Sequence, residues 1–416
     1  MKILFLIKFY QPFDRGGSEW STHDLAKLMV KNGHQVTILT PNYGTKTKIV
    51  IEGIEIVRFP FIKLKNPKSQ LAPFWTNNII WFIYTSLYCS LLAYKEKVDI
   101  IHVQSNEFIP AAVISSKILR KPTLATFRDY QALCSLGFCL WRKDRVCDFS
   151  EFFKKDFAFF YQNYVGNKNP IKYLILLAAA IRGRIMQKII YFFAQRIDYK
   201  IAVSGKVAKI FRVNGVGKIV AIHNPVIINT KPIIKPSNEI IYLGRFSKGK
   251  GIDIFFNLIP QLLKDLPQAK FKLVGSGYLE KDLKAAAVKM QLEDKVSFTG
   301  QIDHQQVLSE VKKAALIAVP SIWQEPLPRS AIEAILSGTP VVATKVGGLK
   351  EVVKDKVYGI LCMPDENSLK DAIVSCFIHK EEFKKNILAD LSKLRKHFTN
   401  DVAASYLKIY QKTINV

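Results

Sequence analysis

Apolar residues along the chain gather into short, nearly uninterrupted runs, separated by longer stretches of helical period. Ile3 to Ile7, Gln35 to Thr40, Ile54 to Phe59, Ile100 to Gln104, Thr123 to Phe127 and Lys200 to Ser204 form a first series. A second runs through Ile219 to His223, Ile240 to Leu243, Phe271 to Val274, Val296 to Thr299, Leu316 to Val319, Val341 to Ala343 and Gly359 to Cys362. Strands that are continuously apolar, rather than alternating, belong in sheets whose two faces are both covered by helices, so each series predicts a parallel α/β sheet. The break falls near His223-Asn224-Pro225 and the polar, Pro-containing stretch Thr230 to Asn238, which continues neither element type.

Two apolar segments invite comparison with membrane spans. Phe74 to Tyr94 has a helical pattern of aromatics, but Thr76, Asn77, Asn78, Thr85, Ser86 and Ser90 dilute it, which predicts a packed internal helix. Tyr173 to Ala180 is too short to cross. With Arg182, Arg184, Ile185, Ile189, Ile190, Phe192 and Phe193 it makes a basic amphipathic helix, readable as lying on an anionic membrane surface or as an ordinary helix with a solvated basic face.

Composition narrows the class. The 416 residues carry 61 Lys+Arg against 34 Asp+Glu, a formal +27, yet are 49% hydrophobic and 12% aromatic, which excludes a disordered tail protein. The length predicts two or three domains with their own cores. Six cysteines are too few for a disulfide scaffold, and no cleavable leader pattern opens the chain, so a reducing cytosolic compartment is expected. Cys134, Cys139 and Cys147 follow a C-x4-C-x7-C spacing that is not a zinc pattern and read as placed thiols. The basic excess is concentrated over Glu151 to Lys218, with 13 Lys/Arg against three acids. A positive balance alone suits nucleic acid, anionic membrane or phosphorylated substrates.

Candidate chemistry sits after the strands. The turn following the first strand ends in Gly16-Gly17-Ser18-Glu19 and opens a helix; paired glycines there let backbone amides approach an anion, or merely close a tight connection. Leu243-Gly244-Arg245-Phe246-Ser247-Lys248-Gly249-Lys250-Gly251 sets two cations, Arg245 and Lys250, across a short loop that fits a diphosphate. Further on, Glu325 and Glu333 are separated by seven residues, with Pro326 and Pro328 marking a helix start and Glu333 about two turns inside. A buried Glu in so apolar a helix needs a partner, and the vicinal hydroxyls of a polyol would supply one.

The ordered set of Gly-Gly-x-Glu after strand one, Gly244-Arg245 with Lys250-Gly251, Gly275-Ser276-Gly277, and Glu-x7-Glu followed by Gly-x-Pro-Val-Val-Ala resembles the family 4 glycosyltransferases of the GT-B fold over nearly the whole chain. The resemblance implies two Rossmann-like parallel-sheet domains facing each other across a cleft. Residues 1–223 would be the acceptor side and 224–396 the nucleotide-sugar side, while 397–416 would hold a helix, Asp401 to Gln411, returning to the first domain. It implies a retaining hexosyltransferase that moves a sugar from a nucleotide diphosphate sugar to an acceptor hydroxyl. Arg245 and Lys250 would neutralise the diphosphate with no metal, Glu333 would bind the ribose and Glu325 the donor sugar. Gly16 and Gly17 would support phosphate or acceptor. Gly275, Gly277 and Gln301 would border the base, and Leu327, Arg329 and Ser330 the donor. The acceptor would be a glycan or a lipid-linked one, in cell-surface polysaccharide or glycolipid synthesis, with the enzyme cytoplasmic or peripheral on the inner membrane face.

Two positions depart from the family pattern. Arg128 stands where relatives commonly carry His; it cannot act as a base, but its planar fork suits phosphate or sugar oxygens. Pro328 stands where many have Gly and removes an N–H. His102, at the end of a strand, reads as an acceptor contact or as a satisfied core histidine. A GT-B-like sugar-nucleotide epimerase is the alternative activity. A nucleic-acid-binding module would leave Glu325 and Glu333 without purpose, so no nucleic-acid partner is expected.

Overall fold

The computed structural model describes residues 1–64, 73–137, 147–162, 170–228, 231–233 and 237–414. Cys139, Tyr164, Lys168 and parts of the Thr230 to Asn238 stretch lie outside them. The chain forms two units, Met1–Pro225 with Thr399–Val416, and Val226–Phe398.

The first unit holds β1 (Lys2–Leu6), β2 (Gln35–Asn42), β3 (Lys48–Ile51), β4 (Ile54–Pro60), β5 (Ile100–Val103), β6 (Thr123–Phe127), β7 (Tyr199–Ala202) and β8 (Ile219–Ala221) in one sheet of order β3-β4-β2-β1-β5-β6-β7-β8. Its helices are α1 (Gly17–Lys31), α2 (Ile79–Lys95), α3 (Ile109–Leu119), the single turns α4 (Phe149–Glu151) and α5 (Ala158–Phe160), α6 (Pro170–Ala194) and α7 (Gly205–Val213). All pairings are parallel except β3 with β4. Central strands such as β5 and β6 are buried at every position, as their unbroken apolar runs require.

Three sequence expectations are corrected here. The Ile219 to His223 run does not open the second sheet: β8 pairs with β7, Lys200 opposite Ile219, because the short α7 crossover returns the chain beside the strand it just left. Strand β3 was not anticipated. Its signal was a hairpin turn at Glu52-Gly53, both with positive φ, between two β-branched runs. Helix α2 is internal on one side only. Trp81, Phe82, Thr85, Ser86, Cys89 and Ala93 are buried, while Ile79, Ile80, Ile83, Leu87, Leu91 and Tyr94 are exposed.

The second unit holds β9 (Glu239–Leu243), β10 (Lys270–Val274), β11 (Val296–Gly300), β12 (Leu316–Val319), β13 (Val341–Thr344) and β14 (Gly359–Cys362), all parallel, in the order β11-β10-β9-β12-β13-β14. Helices α8 (Ile252–Asp265), α9 (Glu280–Lys289), α10 (His304–Val311), α11 (Arg329–Leu336), α12 (Leu349–Val352), α13 (Glu366–Ile378) and α14 (Lys380–Lys396) cover it. Phe255, Phe256, Phe271, Leu316, Ile373 and Phe377 anchor its core, each worth about 1.5–3 kcal/mol relative to exposure. The strand order reverses between β9 and β12, which opens a crevice at their carboxyl ends. The last helix, α15 (Val402–Ile414), packs in the first unit, where Tyr406 and Tyr410 are fully buried.

Candidate functional site

In the second unit the switch between β9 and β12 brings two loops together. After β9 the chain makes a 3-10 turn, Lys248–Lys250, and passes through Gly251 at φ +67 into α8. A Cβ on Gly251 would lie 1.9 Å from the carbonyl oxygen of Pro320, so only glycine lets this loop seat on the one after β12. The backbone amide of Ile322 donates to Gly249 O at 3.1 Å and completes the joint.

Glu325 is the focus of that joint. Its Oε1 accepts from Lys250 Nζ at 2.6 Å, Ser321 Oγ at 2.5 Å and Trp323 Nε1 at 2.7 Å, and Lys250 Nζ lies 4.9 Å from the centroid of the Trp323 ring. The loop after β13 holds Glu325 from behind. Gly348 N donates to Glu325 O at 2.7 Å, and a Cβ on Gly347 would meet the same oxygen at 2.0 Å. The side chain of Lys250 is 30% exposed and that of Glu325 3%, so the pair turns its cation, not its carboxylate, toward solvent. Arg245, in the loop after β9, is exposed and forms no ion pair with a carboxylate of the described residues.

Glu333 forms a second buried cluster. Arg329 Nε at 2.6 Å and His304 Nε2 at 2.7 Å both meet its Oε1. Burial pushes this carboxyl up, but the Arg329 guanidinium and His304 together hold it below the usual carboxylate range. Helix α11 begins only at Arg329, so Glu333 sits about one turn inside, not two, and shares a face with Arg329 at i, i+4. The partner this buried Glu required is therefore already supplied by the protein. His304 was missed: it opens α10, 29 residues upstream, and nothing local in the sequence links it to Glu333.

The remaining candidates in this unit fall around these clusters. Gly275-Ser276-Gly277 is stitched to the loop after β9, Phe246 N donating to Ser276 O at 2.9 Å, and Gly275 N donates to Gly300 O at 3.0 Å. Gln301 is exposed just before α10. Ser330 is half-buried, whereas the side chains of Leu327 and Arg329 are buried, and Arg329 acts on Glu333.

The first unit gathers polar groups at the carboxyl ends of β1, β5 and β6. Gly16 precedes α1 and Gly17 opens it, with Glu19 in the first turn. Arg128, after β6, donates through Nε to Asn224 Oδ1 at 3.0 Å and through Nη1 to Gln104 Oε1. Its Nη2 and the Nε2 of Gln104 are buried with no hydrogen-bond partner among the described residues, two donors waiting for an acceptor. Burial pushes the Glu19 carboxyl up to about 7, Asp14 adding to the rise and Arg128 opposing it. Burial likewise lifts Asp129 to about 6 against hydrogen bonds from Gln131 and Asn106. Sequence reasoning did not find Glu19, Gln104 or Asn224 as companions of Arg128.

His102 is withdrawn as an acceptor contact. It is fully buried, Nδ1 bonded to Tyr410 Oη at 2.7 Å and Nε2 to Thr126 Oγ1 at 2.8 Å, so neither ring nitrogen is left for a ligand. Burial, aided by Arg128, holds it well below the usual histidine range and hence neutral.

Among known proteins, the chain is 29% identical over 176 residues to an uncharacterized glycosyltransferase of Methanocaldococcus jannaschii, a match spanning 41% of this chain and 44% of that one. It is 22% identical to human phosphatidylinositol N-acetylglucosaminyltransferase, in a match to one component of that enzyme over 89% of this chain and 67% of that one. The chain thus spans under half the length of the first relative and about two thirds of the second. Among solved structures it is similar to Anabaena HepE in complex with UDP-glucose, TM-score 0.68 at 19% identity, covering 99% of this chain and all of that one, which shows the GT-B fold. The profile described as Glycosyl transferases group 1 matches residues 225–388, the unit that carries Lys250 and Glu333. Since the profile of Glycosyltransferase Family 4 matches residues 15–229, more than half of the 416, the chain belongs to that family.

Proposed function

We propose that this protein is a glycosyltransferase that moves a sugar, with retention of anomeric configuration, from a nucleotide diphosphate sugar to an acceptor hydroxyl. The observation that carries the reading is the pair of clusters after β9 and β12: a partly exposed Lys250 gripped by buried Glu325, and Glu333 gripped by Arg329 and His304. The partly exposed Lys250, with Arg245 on the same loop and in no ion pair with a carboxylate of the described residues, suits a diphosphate, whose departure with the bonding electrons is eased by positive charge in place of a metal. Glu333, ionised by its neighbours, accepts from ribose hydroxyls. Glu325, Leu327, Arg329 and Ser330 border the sugar, while Gly275, Gly277 and Gln301 border the base. The complex of HepE with UDP-glucose supports this class of donor.

Gly16, Gly17 and Arg128 serve the acceptor side of the reaction. The spare Nη2 of Arg128 meets phosphate or sugar oxygen, and the departing phosphate takes the acceptor's proton. The acceptor is a surface glycan or its lipid-linked precursor, and the basic helix α6 sets the enzyme on the inner, anionic face of the cell membrane. That the human relative is a phosphatidylinositol N-acetylglucosaminyltransferase supports a lipid-borne substrate. No helix among the described residues is long and apolar enough to cross a membrane. Incubation with labelled nucleotide sugars and a lipid-linked acceptor tests the reading. Label in the product, with the donor's anomeric configuration by NMR, is expected; epimerised donor with no transfer would contradict it.

A further inference from the structure

Helix α2 carries no charged residue from Ile79 to Tyr94, and its outer face is an apolar stripe at helical spacing: Ile79/Ile80, Ile83, Leu87, Leu91 and Tyr94. Ile80 is 80% exposed and Tyr94 76%, and the other members of the stripe are more than half exposed. Phe74 and Trp75, both exposed, extend the stripe at its N-terminal end. The guanidinium of Arg182 on α6 lies 6.0 Å from the ring centroid of Phe74, in the turn that precedes α2. Helix α6 has an exposed stripe of its own, including Ile171, Leu174, Ile175, Ile181 and Ile185, and α3 packs against both helices.

Charge selects the occupant. Neither α2 nor α6 contains an Asp or Glu, whereas Lys95 closes α2 and α6 carries exposed Lys172 and Lys188 with half-buried Arg182. Two apolar stripes on helices that carry cations and no acid within their length, Glu96 standing only at the C-cap of α2 between Lys95 and Lys97, match the boundary between acyl chains and anionic headgroups. We infer that α2 is a membrane-inserting helix, lying in the plane of an anionic bilayer with Ile80, Ile83, Leu87 and Leu91 among the upper acyl chains and Trp75 and Tyr94 at headgroup depth. It does not cross the bilayer. Its 17 residues span only about 25 Å and its other face is committed to the protein core. The inference rests on the proposed placement at a membrane, and adds which surface inserts.

Flotation of the full chain tests it, using phosphatidylcholine vesicles with or without phosphatidylglycerol. The wild type is expected to float with the anionic vesicles and far less with phosphatidylcholine alone. The double variant Ile80→Asp, Ile83→Asp should lose about tenfold in bound fraction while keeping its thermal transition and nucleotide-sugar binding. A wild type that floats with neither vesicle overturns this inference and the membrane placement together. A double variant that floats like wild type overturns the role of α2 alone. A wild-type dimer in sedimentation that the double variant splits would assign the stripe to a second copy instead, and likewise overturns it.

Discussion

Lys250 Nζ and Glu325 Oε1, 75 residues apart in the chain, lie 2.6 Å apart because two loops meet where the strand order of the second sheet reverses. The carboxylate is buried and fixed by Ser321 and Trp323, so the ammonium it holds is pre-positioned rather than free to wander. Charge-assisted bonds of this kind contribute about 1.5–3 kcal/mol each, so Lys250→Ala should weaken nucleotide-sugar binding by about 10- to 100-fold. Titration calorimetry checks this. The same substitution should lower unfolding free energy by about 1–3 kcal/mol, since Glu325 keeps two of its three donors.

The Glu333 cluster predicts an order of effects. Glu333→Ala should abolish measurable donor binding with the fold retained. His304→Ala should weaken it less, because Arg329 still holds the carboxylate. Arg329→Ala should cost the most stability, about 3–5 kcal/mol, by stripping the charged partner from a buried carboxylate. Glu333's pKa is depressed in the folded state. Its contribution is therefore present above the usual carboxylate pKa and lost as pH falls through the folded value, so Glu333→Gln should approach wild-type stability in acid. Denaturant melts across pH report it.

Glu19 predicts the opposite slope. Its carboxyl is raised to about 7, so the folded chain binds a proton that the unfolded chain releases near the ordinary glutamate value. That contribution is full below the unfolded pKa and disappears as pH rises through 7. Glu19→Gln should therefore gain on wild type at pH 8, by at most about 3 kcal/mol, and lose the gain in acid.

Arg128 donates to Gln104 and Asn224 from two edges of one planar fork. Arg128→Ala should lower turnover with the fold retained. Arg128→Lys should not restore it, because an ammonium cannot reach both acceptors and keep a third donor for a ligand. Steady-state kinetics under saturating donor makes the comparison.

Much of this was legible in the sequence because parallel strands announce themselves as apolar runs and because each loop after a strand carries its own local motif. Lys250, Glu325 and Glu333, which the structure gathers into two clusters, could be singled out that way, whereas Arg245 makes no ion pair with a carboxylate of the described residues. What local pattern could not show is who meets whom. His304 reaches Glu333 only through the packing of α10 and α11, and Asn224 reaches Arg128 across 96 residues. His102 looked usable from its place at a strand end, but the α15 tyrosine that spends its Nδ1 comes from the far end of the chain, 308 residues on. The outer face of α2 was misread because an apolar helix pattern does not say on how many sides it will be covered.

The central claim is that the second unit holds an activated sugar by its diphosphate and ribose. Calorimetric titration of wild type, Lys250→Ala and Glu333→Ala with a panel of nucleotide diphosphate sugars tests it most directly. At least one donor should bind the wild type, weaken on Lys250→Ala and vanish on Glu333→Ala; equal affinity for all three proteins, or no binding to any, would contradict the account.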